Sequence, residues 1–164
     1  MAAIGCGDIN GAQPLAGAAH YQPESGAWSL AYLSPPWLFV GGQGDSAGFA
    51  VAPSLLSIDV AHATVTLTID RHQTAADAAA QAGLDAWKAA HPSGSAPVAP
   101  ASITNMAGQM GVEFAAADAS ATEFHREVYF DAPAGCFGLV FEGRVPLDTA
   151  DVTSLVAGFE TATQ

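Results

Sequence analysis

A chain of 164 residues with a formal net charge of −12, 50% apolar and only 12% charged, excludes several functions before any motif is read. Its length suits one domain, which buries roughly 70% of the surface exposed by the unfolded chain and needs neither a disulfide framework nor a structural metal. With Arg71, Lys88, Arg126 and Arg144 as its only basic residues it is repelled by nucleic-acid phosphates and anionic lipid, and no apolar run reaches the ~20 residues of a membrane-spanning helix.

Residues 1–25 read as an N-terminal tail, a tether for a single α+β domain over residues 26–164. Within it, Ala3-Ile4-Gly5-Cys6-Gly7 resembles the end of a bacterial lipoprotein signal, where small residues precede a cysteine that takes up lipid. The basic and long apolar parts of such a signal would lie upstream of Met1. The alternative is an ordinary terminus with a chance cysteine. Asp8-Ile9-Asn10-Gly11 lacks the further ligands and closing glutamate of a calcium loop and reads as a turn.

Trp28, Leu30 and Tyr32 alternate over residues 27–33, a first strand stopped by Ser34-Pro35-Pro36. An apolar run follows at 37–40, then a loop by composition at 41–48, then a short strand with Phe49 and Val51. Over residues 56–69 the apolar parity flips between Ile58 and Val60 and the later Val65, Leu67 and Ile69, which requires a turn near 61–63. Thr74 and Asp77 form a capping-box-like start to a helix that runs to about residue 90, with Ala80, Leu84, Trp87 and His91 along one side. Residues 93–100 read as a loop.

Three strands come next. Met110, Val112 and Phe114 alternate before a turn at Asp118-Ala119-Ser120. Phe124, Val128 and Phe130 alternate in the second. In the third, Phe137, Leu139 and Phe141 occupy one face and Cys136 and Val140 the other, so both faces must be covered. Asp148 is placed to cap a last helix at the amide of Asp151, with Val152, Leu155, Val156 and Phe159 as its stripe. The expected architecture is an α-β-α sandwich with a mostly antiparallel sheet.

Candidate chemistry is sparse. Gly44-Asp45-Ser46-Ala47-Gly48 matches the G-x-S-x-G pattern of the nucleophile elbow, but the elbow must lead into a helix and Phe49 begins a strand, so Ser46 is a weak catalytic candidate. His62, His72 and His125, with Asp59 and Asp70 nearby, lack the close spacing of zinc or copper ligands, so neither a metal nor a cofactor is expected. Cys136 is expected to be a small buried thiol, not disulfide-bonded to Cys6. Arg126 falls on the apolar side of its strand and needs a carboxylate partner or a bulge. By parity Glu113, His125, Glu127 and Tyr129 are assigned to the opposite face, the candidate binding face.

The order of elements resembles the Mog1/PsbP-like domains, in particular small bacterial proteins grouped with DcrB and the Eag chaperones. The resemblance spans residues 27–159. It is carried by the strand into Ser34-Pro35-Pro36-Trp37, the helix after Arg71-His72, the Gly108 strand, the Phe124-to-Phe130 strand, and Phe137-Gly138-Leu139-Val140-Phe141-Glu142 before a terminal helix. The Leu-Phe-Gly-Gly-Ala segment typical of Ran-binding members does not occur. The resemblance implies a non-enzymatic module that binds or assembles with another protein. It does so either in the bacterial cell envelope, with Cys6 as its lipid attachment and sole contact with a membrane, or in the cytoplasm as an Eag-like adaptor for a secreted effector.

Overall fold

The computed structural model describes residues 18–51 and 63–162. In chain order the elements are β1 (Ala18–Tyr21), β2 (Trp28–Leu33), β3 (Trp37–Gln43), β4 (Ser46–Val51), β5 (Val65–His72), α1 (Ala76–Ala90), β6 (Ala101–Thr104), β7 (Met110–Ala117), β8 (Phe124–Ala132), β9 (Gly135–Gly143), α2 (Ala150–Ala157) and β10 (Phe159–Thr161). Seven strands form one sheet in the order β3-β4-β5-β9-β8-β7-β6, and three form a second in the order β1-β2-β10. Every neighbouring pair is antiparallel.

β9 lies at the centre of the larger sheet, between β5 and β8, and its two faces are buried by different means. Phe137, Leu139 and Phe141 line up across the registers with Leu67, Ile69, Val128 and Phe130. They pack against Trp28 and Leu30 of β2, Val152, Leu155 and Val156 of α2, and Phe159 of β10. On the other face Cys136 and Tyr129 meet the alanines Ala76, Ala79 and Ala80 of α1, and Leu84 packs on Phe114 and Ala116. Small side chains let α1 approach the sheet closely, while the opposite cover is aromatic. The molecule is thus an α+β sandwich: α1, the seven-stranded sheet, and a layer made of the small sheet with α2. None of its described helices is long and apolar enough to cross a membrane.

Two side-chain amides fasten the second layer down. Asn105, in the turn between β6 and β7, donates from Nδ2 to the Phe159 carbonyl at 2.6 Å. Gln109 accepts from the Thr161 amide at 3.0 Å and donates to the Thr161 carbonyl at 2.8 Å. The backbone amide of Met106 also donates to the Ala157 carbonyl, at 3.0 Å.

Several local expectations are corrected. The expected tether over residues 1–25 contains β1, which pairs with β2 from Ala18 to Tyr21. The expected loop at 41–48 is a tight hairpin, because β3 runs through Gly41 and Gly42 and only Gly44 and Asp45 turn, with Gly44 at φ +61°. The Thr74–Asp77 capping box does not form. Ala75 caps α1, and the free amide of Ala76 donates to Asp131 Oδ1 at 2.8 Å, a carboxylate 55 residues away at the end of β8. Nor does Asp148 cap α2, which begins after Thr149 with no side-chain cap bond.

Phe159 is buried as expected, but in β10 and not in the last turn of α2. The helix stops at Gly158, where an added Cβ would meet the Ala31 carbonyl oxygen at 2.3 Å. The chain can lie so close to β2 only without a side chain there. The expected features at Ile58, Val60 and the turn near 61–63 fall largely outside the described residues. Phe159 touches the rings of Trp28, Phe130 and Phe137. Phe159→Ala should therefore cost about 3–5 kcal/mol in urea unfolding, the range for an aromatic cavity in a packed core. A loss below ~1 kcal/mol would mean that β10 is loosely seated.

Candidate functional site

Arg126 sits on the apolar face of β8, opposite Phe141 of β9 and Ala115 of β7, with its side chain 10% exposed. The partner it requires is Glu113. Both Nε and Nη2 donate to Glu113 Oε2, at 2.9 and 2.6 Å, and Nη1 donates to the Leu147 carbonyl at 3.2 Å. Glu113 pairs in register with Val128, so it shares the face of Arg126. Its assignment to the face of His125 is corrected by that register.

This ion pair forms the base of a groove of about 620 Å³. Its floor is the exposed end of the β7–β8 face, where Ala115 lies opposite Arg126 and Ala117 opposite Phe124. One wall is the segment around Pro97, held to the edge of β7 by paired backbone bonds between Ser95 and Ala117. The other wall is the segment of Leu147 and Asp148 leading into α2. At the end of the floor the chain turns tightly, organised by Asp118, which accepts from the Ser120 hydroxyl and from the amides of Ser120, Thr122 and Glu123. The Ser120 hydroxyl bond and the turn amides hold its carboxyl well below the usual carboxylate range.

The remaining members of the expected binding face are not a solvent-facing surface. His125, Glu127 and Tyr129 are all buried beneath α1. Glu127 Oε2 accepts from Tyr129 Oη at 2.6 Å, and Glu127 Oε1 is hydrogen-bonded to His125 Nε2 at 2.7 Å. Trp87 stacks between His125, at 4.8 Å, and His91, at 3.7 Å. Burial first, then the Glu127 hydrogen bond and charge, push the Tyr129 phenol well above its ordinary value. Gly83 of α1 makes room for this network, since a Cβ there would lie 2.0 Å from Glu127 Oε2. These contacts make the network a structural fastening of α1.

Ser46 heads β4, pairing with Gln43 across the hairpin, so the segment is strand-turn-strand and not the strand-turn-helix of an elbow. His72 packs edge-on against Tyr129 at 5.3 Å, while Cys6, Asp59 and His62 lie outside the described residues. No group of three or more metal-ligating side chains converges among the described residues. Cys136 is a fully buried free thiol, and burial, with Asp131 adding to it, pushes its pKa up to about 11. Sequence reasoning missed the groove, whose walls are segments some fifty residues apart with no motif of their own.

No family model matches the chain, and no curated protein matches it. Among solved structures it is similar to a crystal structure from Bacteroides thetaiotaomicron VPI-5482, with 10% sequence identity and a TM-score of 0.47 over 90% of this chain and 50% of that one. The chain thus spans about half the length of that structure.

Two measurements check the α1 face. Helix propensity alone makes Gly→Ala stabilising by about 1 kcal/mol, but Gly83→Ala should destabilise the protein because the Glu127 carboxylate occupies the space. In a Glu127→Ala background the same substitution should be neutral or stabilising, a reversal that a double-mutant cycle in urea reads directly. A thiol whose pKa rises from 9.0 to about 11 on folding favours the folded state fully below pH 9.0 and loses that contribution as pH climbs toward 11. Stability should fall across that window, and less steeply in Cys136→Ala.

Proposed function

We propose that this chain is a non-enzymatic binding module of the Mog1/PsbP-like kind, lipid-anchored at Cys6 in the bacterial cell envelope, whose protein partner places a segment in the groove over Arg126 and Glu113. The observation that carries the reading is the groove. Elsewhere the apolar face of the central strands is covered by the small sheet and α2, and at the end of β7–β8 it is left open over the half-buried pair of Arg126 and Glu113. Large concave sites with apolar walls and a few convergent polar groups are the usual places for ligands. The acid-base groups of the α1 face, by contrast, are engaged with one another. The small residues before Cys6 support the anchor, since a di-acylated cysteine supplies the two chains that stable attachment needs.

The test is site-directed photocross-linking in the native host. A benzoylphenylalanine at Ala115, on the groove floor, should yield one discrete cross-linked protein. The same group at Thr68, exposed on β5, should not. The protein should fractionate with membranes and lose that behaviour on Cys6→Ser. Absence of a cross-link at Ala115, or the same products at both positions, overturns the groove as the site. An unmodified Cys6 in the soluble fraction turns the reading toward the cytoplasmic Eag-like adaptor.

A further inference from the structure

The base of the groove carries unused hydrogen-bonding capacity of both kinds. The guanidinium of Arg126 has more N–H donors than its three contacts with Glu113 and Leu147 consume. Both of its bonds to Glu113 go to Oε2, which leaves Glu113 Oε1 without a hydrogen-bond partner among the described residues. A donor and an acceptor therefore sit side by side in a groove walled by Pro97 and Leu147, with Phe124 on its floor.

We infer that this groove recognises a neutral amide, the backbone of an uncharged and largely apolar peptide segment, in preference to a carboxylate. The inference rests on the binding-module reading and adds the chemistry of the occupant. An amide has one carbonyl to accept from Arg126 and one N–H to donate to Glu113, so it satisfies both groups at once. A carboxylate only accepts. It leaves Glu113 Oε1 unmet and sets a second negative charge beside Glu113 and Asp148, in a chain of net charge −12. Covering Glu113 Oε1 with a ligand that offers it no donor costs about 1–3 kcal/mol, roughly five- to 150-fold, so a discrimination of about tenfold is expected. The small side chains of Ala115 and Ala117 leave room for a peptide backbone to lie on the floor.

The experiment is a titration of the purified, isotope-labelled chain with N-methyl-3-methylbutanamide, which carries one amide, and with 3-methylbutanoate, which carries only a carboxylate, followed by backbone amide NMR. Shifts at Ala115, Ala117, Phe124 and Leu147 with the amide probe, and affinity at least about tenfold weaker for the carboxylate, support the inference. Glu113→Gln keeps the shape and should narrow that gap by removing the charge that repels the carboxylate, whereas Thr68→Ala should leave it unchanged. Equal or tighter binding of the carboxylate in the groove overturns the amide chemistry and leaves the binding module standing. Absence of groove shifts with either probe overturns the inference, and the cross-linking at Ala115 then judges the module on its own.

Discussion

The structure depends on the double-sided burial of β9. Phe137, Leu139 and Phe141 are fully buried on one face and Cys136 on the other, so the strand is stable only when two separate layers keep water from it. The layers solve different packing problems. The aromatic side is thick and takes a second sheet, closed by β10 and α2. The Cys136 side is thin, and α1 meets it through alanines and Gly83, with Glu127 seated against the helix backbone. The thin side is also the less completely satisfied one, since His72 Nε2 and Trp87 Nε1 are buried there without hydrogen-bond partners among the described residues.

Placing a guanidinium on the aromatic side follows from where that cover ends. A fully desolvated ion pair recovers its solvation cost only with excellent geometry. At the β7–β8 end the Glu113 side chain remains 26% exposed, so the pair is half in the core and half in the groove. Arg126 thereby finishes the hydrophobic layer with its aliphatic stem and opens a polar site with its head. One residue marks the boundary between the packed core and the open groove.

How much of this was legible in the sequence depends on the range over which each feature is encoded. Alternation within β7, β8 and β9 is local, and it located those strands, the two-faced character of β9 and the need of Arg126 for a carboxylate. Which faces of different strands coincide is decided by register. The pairing of Glu113 with Val128 moved Glu113 away from His125, and no parity within one strand could show that. Caps failed for a similar reason, because the carboxylate that caps α1 is Asp131, brought back by the sheet. Phe159 fits the helical stripe of Val152 and Val156 as well as it fits a strand, and a backbone contact at Gly158 decides between them. Composition misread the glycines of β3 as a loop, whereas Gly42 allows close approach of the Ser46 carbonyl and the Tyr21 hydroxyl.

The fastening of β10 by Asn105 and Gln109 has a consequence for how the molecule meets changing surroundings. Carboxamides neither ionise at ordinary acidity nor attract counter-ions, so salt that screens exposed charges and acid that protonates carboxylates leave this junction untouched. The pair of Arg126 and Glu113 is instead held by charge, and its Glu113 side chain is 26% exposed to screening ions. A rise in ionic strength therefore acts on the groove before it acts on the clasp that holds β10.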